Sequence, residues 1–312
     1  MRGPEARLGP VRFVVAAVLV ALCATACGTH RPRSEPAGPG TLNSLIERLG
    51  EDVAAVPGDA DFSVGDVRFS FLVIRHDARA VERPRARVWL ARSRADRPFA
   101  RATAVLEPIG PPGAGEKAAG GVGHIYVTHL HVPQAGRYWL VAEPVGGKPI
   151  QAFAMLDVMR RSTSPPIGSK APQSETPTLA TTRDIARLTT RIPPDRALLR
   201  YSIAGSLAAK RPFIVTFATP RYCESRTCGP VVDVVDYVRR RFERRGIRFI
   251  HVEVYDRNVP SRGYNRWMRE WHLDGEPWTF VVGSDGRIKA KFMGSVSAAE
   301  LEAAVRRLVL RR

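Results

Sequence analysis

The sequence predicts a multidomain chain: an all-β sandwich followed by an α/β domain. Three observations predict it. Between residues 59 and 159, short apolar runs alternate with turn signals, the pattern of antiparallel strands packed face to face. Beyond Lys210, a continuous apolar run gives way to a helical pattern and then to another apolar run, the order of a sheet covered on both faces. Between the two regions, residues 160–171 are rich in Pro and Ser and read as a linker. A chain of 312 residues is long enough for two such cores.

The first 26 residues stand apart. Arg2, Arg7 and Arg12 precede an apolar run from Phe13 to Leu22, and Ala24-Thr25-Ala26-Cys27-Gly28 follows. A basic region, a short apolar region and small residues describe a secretory signal peptide. The run is too short for a membrane helix of ~20 residues. The segment resembles a bacterial lipoprotein signal, with Ala26 before Cys27 and Gly28 after it, although Ala24 stands where leucine is usual. That resemblance implies removal of residues 1–26, lipid on Cys27, and an extracytoplasmic protein anchored to the cell membrane. A cleaved signal without lipid and a retained anchor are the alternatives.

Four cysteines, less Cys23 in the leader and the acylated Cys27, leave Cys223 and Cys228. In an oxidising compartment a lone pair is expected to meet as a disulfide. The net charge is +18, nearly all from arginine. An anionic envelope surface would attract such a chain. No nucleic-acid partner is expected for an exported protein, and an arginine-biased coding sequence accounts for the composition.

Residues 27–58 read as a tether and a short helix, with Leu42, Leu45, Ile46, Leu49 and Val53 at helical spacing. From 59 to 159 the expected strands are Val67–Arg75, Ala86–Ala91, Phe99–Pro108, His124–Val132, Gly136–Glu143 and Ile150–Val158. Alternation puts Tyr126, Leu130 and Val132 on one face. The run Gly136-Arg137-Tyr138-Trp139-Leu140-Val141 resembles the closing strands of immunoglobulin-like sandwiches, a likeness of architecture that names no activity.

Residues 172–312 carry the chemistry. Strands are expected at Pro212–Thr219, Ile247–Tyr255, Trp278–Val282 and Arg287–Met293, and helices at Gly229–Arg245, Arg262–His272 and Ala298–Leu310. With Cys223 and Cys228 between the first strand and its helix, and Pro277 just before the hairpin, the order resembles the thioredoxin superfamily. The lead-in Gly168-Ser169-Lys170-Ala171-Pro172 looks like that of TlpA-like and peroxiredoxin-like members. The resemblance implies a cis proline at Pro277 facing the cysteines, a substrate groove at Pro277 and Trp278, and thiol–disulfide exchange by Cys228 and Cys223 on exported proteins or a redox partner. It implies no bound cofactor.

Two departures matter. Thioredoxins separate their cysteines by two residues, whereas four residues separate this pair. Either Cys223 is the attacking thiol in a longer loop, or Cys228-Gly229-Pro230 matches the usual motif and Cys223 resolves from upstream. The second alignment is preferred, because the N–H groups of a helix N-terminus favour a thiolate, and Arg221 and Arg226 would act the same way. In addition, Thr216 stands where thioredoxins keep a buried acid.

Two rival readings remain: a non-catalytic binding module with a structural disulfide, and a copper-binding protein similar to Sco-type chaperones, with Cys223, Cys228 and His272 as ligands. The strand histidines His124, His129 and His131 read as exposed residues rather than a metal site. Trp139, Trp267 and Trp271 read as packing or rim aromatics.

Overall fold

The structure is a computed structural model that describes residues 40–48, 50–114 and 122–310. The leader, Cys23, Cys27, Leu49 and most of the tether lie outside the described residues. Within 40–58, the helical spacing holds for one turn only, α1 (Leu42–Ile46), which Thr41 caps through its hydroxyl. Val53, expected on that helix, instead opens a strand, β1 (Val53–Pro57). Pairing in register with the next strand outweighs the helix preference of Ala54 and Ala55.

That next strand is β2 (Gly65–Arg75), followed by β3 (Arg85–Ala91), β4 (Ala100–Pro108), β5 (His124–Val132), β6 (Gly136–Pro144) and β7 (Ala152–Val158). Each of the six strands expected between residues 59 and 159 forms, within two residues at each end. The expected two-sheet sandwich does not. All seven strands join one antiparallel sheet, ordered β1-β2-β5-β4-β3-β6-β7. The sheet curls until β1 and β7 approach one another, bridged at Glu51–Ile150 and Ser63–Met159. Curling lets one sheet enclose its own core: the alternate residues of β7 are buried, and Phe69, Phe71 and Tyr126 stack inside at 5.1–5.2 Å.

The α/β region has four strands: β8 (Phe213–Phe217), β9 (Arg248–Val252), β10 (Trp278–Val282) and β11 (Ile288–Met293). Their order is β11-β10-β8-β9, with β8 and β9 parallel and the others antiparallel. Both faces are covered. Ile214 and Val281 meet α3 (Cys228–Phe242) and α5 (Ala298–Leu310), while Phe213, Val215 and Phe280 meet α2 (Ile203–Ala208) and α4 (Arg266–Glu270).

Residues 160–171 are not a loose spacer. Gly168 and Ala171 hydrogen-bond to Ile288 and Gly286. Lys291 Nζ reaches Asp61, Ser162 and Ser164 at 2.9, 2.6 and 2.8 Å. The described residues from Gly40 onward form one compact unit. A close approach at Gly294 contributes: its φ is +68°, and a Cβ there would lie 2.0 Å from the Gly58 carbonyl oxygen. Gly294→Ala is expected to cost more than about 1 kcal/mol, read as a lowered Tm; an unchanged Tm would show that the two segments can separate freely.

Candidate active site

The C-terminal end of β8 delivers the chain into a loop, residues 218–227, that ends on α3. Cys228 is the first residue of that helix and is buried; Cys223, in the loop, is partly exposed. Both are free thiols rather than the expected disulfide. The loop folds back so that the Cys228 backbone N–H, an unpaired donor at the helix start, points at the Cys223 sulfur at 3.2 Å. The Ser225 hydroxyl lies 3.3 Å from the same sulfur.

These donors favour ionisation of Cys223 over Cys228. The Cys223 pKa is lowered to about 6, first by the neighbouring Cys228 thiol as donor, against the cost of its own burial, and then by Ser225 and the backbone N–H groups. The Cys228 thiol is pushed far up, chiefly by burial, then by Cys223 and Glu276. This reverses the order read from the sequence. A helix N-terminus does favour a thiolate, but its free N–H groups face the upstream sulfur. Arg221, expected to assist, lies over the Tyr222 ring at 5.5 Å.

A residue absent from the sequence reading completes the site. Glu276 Oε2 lies 2.7 Å from Cys228 Sγ, a second acceptor for the single S–H that Cys228 shares with the Cys223 sulfur. Burial raises the Glu276 pKa to about 7. The Glu276–Pro277 peptide bond is cis, and the Pro277 carbonyl accepts from Gly294 N at 2.8 Å. The position that thioredoxins give to a buried acid is occupied by Thr216, whose hydroxyl pairs with Thr279 at 3.1 Å. Glu276 instead supplies a carboxyl directly against the Cys228 sulfur. Its only sequence signal was a charged residue directly before the proline.

Strand order, a parallel β8–β9 pair, a cysteine at the start of α3 and a cis proline before β10 are now in place. The α/β region has a thioredoxin-like fold. In fold the chain is similar to a thioredoxin-family thiol:disulfide interchange protein from Chlorobium tepidum TLS, at 19% identity over 35% of this chain and 90% of that one, TM-score 0.26. It is also similar to a putative thiol:disulfide interchange protein DsbE from Chlorobium tepidum, at 16% identity over 34% and 83%, TM-score 0.25. No protein-family description matches the sequence, and no curated protein matches it either.

Not every expected residue joins the site of the thioredoxin-like domain. Trp278 is buried at 1% exposure and stacks on Phe280 at 5.4 Å, so it offers almost no surface to a substrate. His272 is exposed, and among the described residues the donor atom that joins the two sulfurs, all within 4.8 Å of one another, belongs to Glu276. The Cys223, Cys228 and His272 ligand set is therefore not assembled. Of the strand histidines, His124 pairs with Glu82 and His131 with Asp66.

Proposed function

We propose that this protein performs thiol–disulfide exchange, with Cys223 attacking and Cys228 resolving. The observation that carries the reading is the asymmetry of the pair: one partly exposed sulfur facing N–H and O–H donors, and one buried thiol held against a carboxylate. Working as a reductant, the Cys223 thiolate attacks one sulfur of a substrate disulfide. An S–S bond forms to Cys223, and the other substrate sulfur leaves as a thiolate. Cys228 then gives its proton to Glu276 and attacks Cys223 Sγ, releasing the second substrate thiolate. The substrate disulfide gains two electrons and the cysteine pair loses them. The reverse sequence makes the protein an oxidant, with Glu276 returning the proton.

A thiolate with a pKa of about 6 makes Cys223 nearly fully ionised at pH 7 and still well matched as a nucleophile. Alkylation of the reduced protein at pH 7 is expected to mark Cys223 and spare Cys228. The rate should be flat above pH 7 and fall tenfold per unit well below pH 6. In Cys228→Ser, mixed disulfides should accumulate on Cys223. Preferential labelling of Cys228, with trapping only in Cys223→Ser, would restore the opposite assignment.

The wider setting is part of the same proposal. The chain works outside the cytoplasm, held to the membrane by lipid on Cys27, and acts on exported proteins or a membrane redox partner. The β-domain sets the height and orientation of the redox site above that surface. Labelling with a radioactive fatty acid that disappears in Cys27→Ala tests the anchor.

A further inference from the structure

Beyond the redox site, the thioredoxin-like domain has a cavity of about 430 Å³, within the size range of small-molecule pockets. It opens at the C-terminal end of β9, where open α/β sheets place their ligands. Arg187, Arg257, Arg266 and Arg269 are exposed around its mouth, and Trp267 forms a wall. Among the described residues, the guanidinium groups of Arg187 and Arg257 have no hydrogen-bond or ion-pair partner of their own.

The floor has the opposite sign. Glu253 lines the cavity and is only 4% exposed. Its Oε1 accepts from the N–H and hydroxyl of Thr190, at 2.5 and 2.9 Å. Its Oε2 is buried without any partner. A buried carboxylate oxygen left unpaired is costly, and a donor brought by a ligand would remove that cost. Asn258 holds the two walls together by donating to the Ala186 carbonyl at 2.7 Å.

We propose that this cavity binds a small acidic amino acid or short acidic peptide. Its carboxylates would meet the arginines at the mouth, and its ammonium group would donate to Glu253. A simple anion satisfies only the mouth and leaves the floor carboxylate unpaired. The same Thr190 hydroxyl that donates to Glu253 accepts the Arg221 N–H at 3.2 Å, two residues before Cys223, so the occupied cavity adjoins the redox loop. The binding itself does not depend on the exchange chemistry.

Calorimetric titration of the reduced protein separates the cases, with L-glutamate, glutarate, inorganic phosphate and cadaverine as probes. L-Glutamate should bind at least about tenfold tighter than glutarate or phosphate, and cadaverine should not bind. Arg187→Ala/Arg257→Ala should weaken L-glutamate about tenfold or more. Glu253→Gln, with folding checked by circular dichroism, should bring L-glutamate down to the level of glutarate. A Cys223→Ser/Cys228→Ser protein should bind as the wild type does, which keeps this result separate from the redox reading. Phosphate binding as well as L-glutamate, indifference to Glu253→Gln, or no heat with any probe would each overturn the proposal.

Discussion

Glu276→Gln is expected to slow resolution of the mixed disulfide by about 10²-fold while leaving its formation intact. General-base assistance contributes about 10²–10⁴-fold, and the lower end applies because a thiol needs less help than an alcohol. Glu276 is the proton acceptor in contact with Cys228 at 2.7 Å. The first step does not use it, since Cys223 draws its low pKa from Cys228, Ser225 and the backbone N–H groups. The wild-type resolving rate should rise with pH up to about 7, where the Glu276 carboxyl loses its proton, and then level off. In Glu276→Gln that inflection should vanish, and the rate should climb steadily as hydroxide takes over. A competing effect has the opposite sign: the Glu276 charge also holds the Cys228 pKa up. If the variant resolves as fast as the wild type, or faster, the carboxylate is an electrostatic brake and not a base. Rapid-quench trapping of the mixed disulfide at pH 6, 7 and 8 distinguishes the two.

The cysteine site is legible in the sequence as far as local patterning reaches. Cys223 and Cys228 between an apolar strand and a helix, with Pro277 ahead of a hairpin, are readable in the sequence, and the fold brings the two sulfurs beside Glu276. The order of ionisation was not legible, because it depends on where a four-residue loop turns the Cys228 N–H. Glu276 escaped notice because its partner is 48 residues away and meets it only when β10 lies beside β8.

The β-domain teaches a similar lesson. Alternation gave its strands, from His124–Val132 with both ends matching to Ile150–Val158 trimmed by two residues. Period-two patterning says which face is buried but not which strand is the neighbour. Since β5 pairs with both β2 and β4, and β6 with both β3 and β7, the expected two layers become one curled sheet. Residues 160–171 look like a linker because they are rich in Pro and Ser, yet Ser162 and Ser164 accept hydrogen bonds from the half-buried Lys291.

The other large effect is expected at the junction of the two sheets. Arg68 on β2 makes a two-pronged pair with Glu300 on α5, at 2.8 and 3.0 Å, and also reaches Asp59 at 3.2 Å and the Ser295 carbonyl at 2.8 Å. Its side chain is 11% exposed, and those of Asp59 and Glu300 are 6% and 15% exposed. Such a cluster is not evidence of great stability, because burying the charges offsets much of their attraction. Removing one member is another matter. Arg68→Ala leaves two carboxyls facing each other without a cation, and is expected to cost about 3–5 kcal/mol in urea unfolding. The pH dependence has a definite sign. Burial already raises the Asp59 pKa to about 7, so its proton is bound more tightly in the folded state than in the unfolded chain. Folded-state stability from this group is therefore present at low pH and lost as pH rises through about 7. Without Arg68, Asp59 holds its proton more tightly still, so the loss should be smaller at pH 5 than at pH 8. Replacing Arg68, Asp59 and Glu300 together by Met, Leu and Leu should recover most of the stability, since no charge is then stranded. A cost below about 1 kcal/mol for Arg68→Ala, equal at both pH values, would mean that water reaches the cluster and that apolar contacts around Phe292 hold the two sheets together.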